Sequence, residues 1–126
     1  MEIPKWLKPF FIFAALYDGI LGVLFLIVPL QICKTFNITP PNHLGYVQFP
    51  ALLLIAFAVL FMNIARDPIA NKNLLLYGIL LKISYCSVVF YHLAFGVIPL
   101  IWVVFAFLDF GFLLIFLYVH KKLEHM

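Results

Sequence analysis

Residues 79–93 read ILLKISYCSVVFYHL, an apolar run that carries one lysine, Lys82, near its start. A charge left unpaired in the middle of a membrane helix costs about 2.5–3.5 kcal/mol or more. Lys82 must therefore meet an acidic partner, or its long side chain must reach the membrane surface. The run raises two linked questions, namely which helices surround it and which side chains face Lys82.

The composition of the whole chain is that of a membrane protein. Of its 126 residues, 67% are hydrophobic and only 10% are charged. Soluble domains contain about 25% charged residues, and the bilayer is the solvent that accepts such an excess of apolar side chains. We therefore expect one all-α domain, residues 1–126, in a multi-pass integral membrane protein whose main partner is the lipid bilayer.

Four apolar segments have the length, about 20 residues, that crosses a hydrocarbon core of about 30 Å. Turn-rich stretches separate them: PLQICKTFNITPPNH (29–43), ARDPIANKN (65–73) and FGVIP (95–99). We interpret these stretches as loops, so the sequence predicts a transmembrane four-helix bundle. The predicted spans are residues 10–29, 46–65, 74–95 and 99–119.

Positive charges are unevenly divided between the two sides of this bundle. One side would carry only Lys34, in the first loop. The other side would carry six basic residues, in the two termini and the second loop: Lys5, Lys8, Arg66, Lys72, Lys121 and Lys122. Because cytoplasmic segments are enriched in lysine and arginine, both termini and the second loop should be cytoplasmic.

Two aspartates lie in other spans at a depth similar to that of Lys82. With a rise of about 1.5 Å per residue, Asp18, Lys82 and Asp109 lie roughly 12–15 Å from the cytoplasmic ends of their helices. The sequence therefore predicts a central Asp–Lys–Asp cluster. One lysine cannot neutralise two carboxylates, so either one aspartate is protonated or a cation or a further donor completes the cluster. Such a cluster could also serve only to fix the register of the helices.

Tyr85 and His92 share a stripe with Lys82 at helical spacing on the third span. Each could carry protons or hydrogen-bond a polar head group, which makes both of them candidate site residues. The alternatives are that Tyr85 donates to a backbone carbonyl and that His92 lies at the outer interface. Ser84 and Ser87 are expected to donate to carbonyls of their own helix.

Other kinds of site have no support in the sequence. It contains no glycine-rich phosphate loop, no nucleophile elbow and no metal-ligand spacing, so no metal and no cofactor is assigned. It also lacks a basic stripe with interleaved aromatic residues, so nucleic acid is not an expected partner.

Six stretches carry a resemblance to known membrane proteins: YDGILG (17–22), GYVQFPALLL (45–54), ARDP (65–68), YGILLKISYCSVVFYH (77–92), PLIW (99–102) and FLD (107–109). With them the chain resembles small four-helix bacterial membrane proteins, and the arrangement of its four spans is similar to that of DoxX-like proteins. The resemblance implies a bacterial inner membrane and a quinone-linked redox role.

Three functions remain open at this point. In the first, Asp18, Lys82 and Asp109 hold the polar head of a lipophilic small molecule, whose body lies among aromatic side chains, or they relay protons. In the second, the chain is an accessory subunit of a larger membrane complex, or forms a homo-oligomer. In the third, it is a membrane enzyme that modifies a lipid or quinone, with an aspartate as acid or base.

Overall fold

The computed structural model describes residues 3–126, and the part of the chain that it describes contains helices and no strand. Four of the helices are long and apolar enough to cross a membrane, which fits a polytopic membrane protein and confirms the predicted all-α class. The helices are α1 (Leu7–Ile27), α2 (Pro29–Thr35), α3 (Gly45–Arg66), α4 (Leu75–Phe95) and α5 (Leu100–Glu124), with a 3₁₀ turn at Lys72–Leu74 before α4.

The short helix α2 lies in the stretch 29–43, where the sequence predicted only a loop, so that prediction is wrong over Pro29–Thr35. Proline suits the first position of a helix, because the missing N–H would have no partner there. Asn37 then adopts a left-handed backbone with φ 57°, as residues just past a helix often do. The amide of Ile38 donates to the carbonyl of Cys33 at 2.8 Å and closes the helix end.

The ends of the long helices also differ from the predicted spans. α1 ends at Ile27 rather than at Pro29, because Pro29 cannot continue the hydrogen-bond ladder. α5 continues to Glu124, five residues beyond the predicted end at 119, and its last turn contains Lys121 and Lys122. Lysine side chains stabilise the carbonyl end of a helix, so α5 extends beyond the apolar segment.

The helices run alternately between two ends of the bundle. We call the end that holds both termini and the α3–α4 loop the terminal face, and the end that holds α2 and the α4–α5 turn the far face. Side chains from all four long helices meet near the terminal face in one hydrophobic core. Leu7, Ile64, Leu75 and Leu123 are each buried there.

The four long helices form two pairs, α1 with α3 and α4 with α5. Small residues allow the first pair to approach closely. A Cβ added at Gly22 would lie 2.7 Å from the carbonyl oxygen of Ala51, and one added at Gly19 would lie 3.3 Å from the Cβ of Ala58. The backbone of α1 is therefore pressed against α3 near these two glycines.

Stacked aromatic rings join the two pairs in the half of the bundle next to the terminal face. The ring centroid of Phe116 lies 5.4 Å from that of Phe11 and 5.2 Å from that of Phe61. Gly78 makes room for this layer, since a Cβ there would lie 2.6 Å from Cε1 of Phe61. The core of the bundle thus lies in the half next to the terminal face, and the charged residues lie next to it.

Candidate functional site

Asp18, Lys82 and Asp109 meet inside the bundle, as the sequence predicted. Nζ of Lys82 lies 3.2 and 3.3 Å from the two carboxylate oxygens of Asp18, and 3.1 Å from Oδ1 of Asp109. The exposed fractions are 1% for Asp18, 1% for Lys82 and 7% for Asp109. The lysine on α4 therefore bridges α1 and α5. Its ion pair with Asp18 links the two helix pairs, and its ion pair with Asp109 lies within the α4–α5 pair.

The hydrogen bonds within the cluster are distributed asymmetrically. A lysine ammonium has three N–H donors, and three acceptor oxygens surround that of Lys82. Both oxygens of Asp18 are used, but Oδ2 of Asp109 accepts no hydrogen bond from residues 3–126. With all three groups ionised, the cluster has a net charge of −1. The remaining acceptor capacity lies on Asp109.

Aromatic rings surround the ammonium of Lys82. Its Nζ lies 5.1 Å from the ring centroid of Phe112, 5.4 Å from that of Tyr17 and 5.8 Å from that of Phe61. Such contacts stabilise a desolvated cation through the negative face of the ring. Because Phe61 and Phe112 belong to the core, these contacts close the cluster toward the terminal face.

A cavity of about 280 Å³ adjoins the cluster on its other side, toward the far face. Asp18 and Asp109 line it, but Lys82 does not. The other lining residues are apolar or aromatic and come from all four long helices: Tyr17, Leu21, Phe25, Tyr46, Val47, Pro50, Ala51, Leu53, Leu54, Leu81, Tyr85, Trp102 and Phe105. A molecule in this cavity would meet carboxylate oxygens at its polar end and hydrocarbon elsewhere.

Ring-to-ring contacts order the aromatic wall of the cavity. The ring of Trp102 stacks on Phe25 at a centroid distance of 6.5 Å and lies 6.2 Å from the ring of Tyr85. Tyr17 meets Phe105 edge to face at 6.2 Å. These pairs join α1, α4 and α5, so three helices hold the wall in place.

Tyr17 and Tyr85, two of the three tyrosines that line the cavity, differ in the hydrogen bonding of their hydroxyls. The hydroxyl of Tyr85 donates to the carbonyl of Trp102 at 3.0 Å, which is one of the two alternatives that the sequence left open. The hydroxyl oxygen of Tyr17 is buried and has no hydrogen-bond partner among residues 3–126. Buried hydroxyls usually have a partner, so Tyr17 adds a second unused polar group beside Asp109.

His92 is the candidate residue that the structure does not bring to the cluster. It lies ten residues after Lys82, or roughly 15 Å further along α4, where it is exposed near the far face. Its ring contacts Tyr91 and does not line the cavity. Ser84 and Ser87 donate to carbonyls of their own helix, as predicted.

The sequence interpretation missed most of the aromatic wall, although helical spacing contained the signal. Phe105 lies four residues before Asp109 and Trp102 lies seven before it, while Phe25 lies seven residues after Asp18. Residues at these separations share one face of a helix. Following each aspartate toward the far face at this spacing would have identified Phe25, Trp102 and Phe105 as its neighbours.

These features define a helical bundle with four membrane-length helices, a buried ion-pair cluster and an adjoining apolar cavity. Comparison of the chain with protein-family models, with curated proteins and with solved structures found no match. We therefore infer the function from the geometry of the cluster and the cavity.

Proposed function

We propose that the protein is a multi-pass membrane protein that binds a small lipophilic molecule with a polar head. The head lies against the cluster of Asp18, Lys82 and Asp109, and the apolar body fills the cavity beside it. The observation that carries this proposal is the composition of the cavity, whose walls are almost wholly apolar and end on two buried carboxylates. Ligand sites typically combine apolar walls with a few placed polar groups.

Two exposed residues at the edge of the cavity support access from the bilayer. Leu53 is 44% exposed and Tyr46 is 70% exposed, and both line the cavity. Leu53 lies eight residues, or roughly 12 Å, from the start of α3, which is within the apolar part of that helix. A lipophilic molecule can therefore reach the cavity from the hydrocarbon region.

The same geometry favours ligand binding over proton relay. A relay across the membrane needs polar groups or water on both sides of the cluster. Among the described residues, the buried charged side chains are Asp18, Lys82 and Asp109 alone. Toward the terminal face the cluster meets Phe11, Phe61 and other core residues, so the polar route ends at the cluster.

A quinone, which the resemblance to DoxX-like proteins implies, ranks second as the ligand. Quinone oxygens accept hydrogen bonds and therefore need donors. The three donors of Lys82 already face carboxylate oxygens, which leaves the hydroxyl of Tyr17 as the donor without a partner. The cluster offers acceptors more readily than donors.

For the membrane itself, we propose a bacterial inner membrane with the terminal face in the cytoplasm. The six basic residues at that end of the bundle, against one at the other, support this orientation. A cysteine replacing the loop residue Asn71 should then resist membrane-impermeant maleimides in intact cells. Its labelling from outside would contradict the orientation.

Native mass spectrometry of gently extracted protein tests the binding proposal. The wild type should carry a small lipophilic molecule, and Leu54→Trp, which fills the cavity, should lose it. Gly111→Ala is the matched control, because no atom lies within 4 Å of the added Cβ. Equal adducts on the wild type and Leu54→Trp would overturn the proposal. A stoichiometric larger protein in place of a small molecule would overturn it in favour of an accessory subunit.

A further inference from the structure

We infer that the polar head of the ligand is a cation, specifically a protonated amine that donates to Oδ2 of Asp109. This inference rests on the proposed ligand-binding function and names the chemical class of ligand that the site takes. It depends on one asymmetry. Asp109 is only 7% exposed, it lines the cavity, and one of its carboxylate oxygens has no donor among residues 3–126.

The charge of the fully ionised cluster disfavours an anionic head. Lys82 supplies one positive charge and the two aspartates supply two negative charges, so the ionised cluster carries −1. An anion in the cavity would face Asp18 and Asp109 directly, because Lys82 lies behind them and does not line the cavity. Like charges in a site of low dielectric repel strongly, whereas a cation would bring the net charge to zero.

The hydrogen-bond donors and acceptors at the polar end of the cavity also favour an amine. A neutral head that only accepts hydrogen bonds would find the ammonium of Lys82 already facing three oxygens. An amine supplies the N–H group that the free oxygen of Asp109 lacks. A charge-assisted hydrogen bond of this kind is about twice as strong as a neutral one. The hydroxyl oxygen of Tyr17, which lines the same cavity, is a second polar atom without a partner.

The wall around the carboxylates suits a cation as well. Tyr17, Phe25, Tyr85, Trp102 and Phe105 line one cavity together with the acids. The faces of aromatic rings attract a desolvated cation, and tryptophan does so most strongly. Aromatic cages are a recurring solution for holding alkylated ammonium groups. The same rings pack against the apolar body of the ligand, which gives selectivity for amphiphilic amines over small inorganic cations.

Three probes with one carbon skeleton separate the charge from the apolar body. Phenylbutylamine is a cation at neutral pH, phenylbutanol is neutral and phenylbutyrate is an anion. The reporter is the fluorescence of Trp102, which Trp6→Phe leaves as the single tryptophan of the chain. We expect the amine to bind at least about tenfold more tightly than the alcohol, since both can donate to the carboxylate but only the amine adds ion pairing and cation–π contacts. The anion should bind most weakly.

Asp109→Asn in the Trp6→Phe background tests whether the carboxylate of Asp109 accepts the hydrogen bond of the amine. The amine should lose its advantage over the alcohol, because the amide keeps a hydrogen-bonding group but removes the charge that only the amine pairs with. The readout is the ratio of the two affinities, and saturable binding of the alcohol shows that the variant is folded. Retention of the full preference for the amine would overturn the assignment to Asp109.

The outcomes distinguish the cation inference from the proposed function. If the alcohol binds as tightly as the amine in the Trp6→Phe protein, the cavity takes lipophilic molecules but the cation inference fails. If the anion binds most tightly, the inference fails in the same way. If none of the three probes changes the fluorescence of Trp102 saturably, both the inference and the binding function are overturned.

Discussion

At the scale of single residues, Asp18 and Asp109 carry the same side chain but have different surroundings. Both oxygens of Asp18 face the ammonium of Lys82, whereas only one oxygen of Asp109 does. Asp109 is also the more exposed of the two, and part of its carboxylate faces the cavity. We therefore expect Asp18 to act mainly on the stability of the bundle, and Asp109 mainly on the binding of the proposed ligand.

This difference predicts an order of stabilities for three variants of the cluster. Lys82→Met leaves two buried carboxylates without a cation and should lower the free energy of unfolding by about 3–5 kcal/mol. Asp109→Asn leaves a balanced pair of Lys82 and Asp18, so it should cost within about 1 kcal/mol. Asp18→Asn should lie between them. Thermal unfolding in detergent, followed by circular dichroism, measures this order.

A surface variant controls for the loss of charge alone. Glu124 is exposed at the end of α5 and makes no ion pair with residues 3–126. Glu124→Gln should therefore leave the melting temperature unchanged. If Asp109→Asn destabilises the protein as much as Lys82→Met does, the division of roles between the two aspartates is wrong.

At the scale of helices, glycine determines how closely α1 and α3 pack. A Cβ at Gly22 would lie 2.7 Å from a backbone oxygen of α3 and 2.8 Å from Cγ1 of Ile55. Gly22→Ala must therefore push the two helices apart, at a cost of about 1–3 kcal/mol in the free energy of unfolding. At Gly111 on α5 the added methyl group meets nothing within 4 Å, so Gly111→Ala should be neutral or stabilise by up to about 1 kcal/mol.

Thermal unfolding of the two alanine variants gives a direct comparison, because the substitution is the same and only the surroundings differ. A lower melting temperature for Gly22→Ala, together with an unchanged or higher one for Gly111→Ala, is the expected result. Equal effects of the two substitutions would mean that α1 and α3 do not pack in the described way.

Much of the helical architecture could be predicted from the sequence, since it depends on properties that act along the chain. Length and apolarity identified the four long helices, and depth along each helix placed Asp18, Lys82 and Asp109 together. The helix α2 was missed because Asn37 and the prolines after it dominate the composition of its stretch. A helix of seven residues leaves little periodicity to detect.

At the scale of the whole molecule, the site results from how the two helix pairs meet. The pairs are joined in the terminal half by Phe11, Phe61 and Phe116. Beyond the cluster, toward the far face, side chains from all four long helices surround a cavity instead. The cluster lies at the boundary between these two halves. The packed core adjoins it toward the terminal face, and the cavity adjoins it toward the far face.

This arrangement could not be predicted from the sequence. Hydropathy does not tell which helices form pairs, and the cavity exists because pairing leaves space between Leu54 on α3 and Phe105 on α5. The sequence also could not show that Lys82 faces away from the cavity, since depth along a helix does not fix the direction of a side chain. That direction decides whether the site attracts a cation or an anion.

The central claim is that an amine in this cavity binds the free oxygen of Asp109. Solid-state NMR of the protein in bilayers tests it most directly, with ¹³C-labelled aspartate carboxyls and bound ¹⁵N-phenylbutylamine. Asp67→Asn removes the aspartate that lies outside the cluster. The account predicts a dipolar coupling from the amine nitrogen to the carboxyl carbon of Asp109 that is stronger than that to Asp18. Bound amine that couples to neither carboxyl, or only to Asp18, would contradict it.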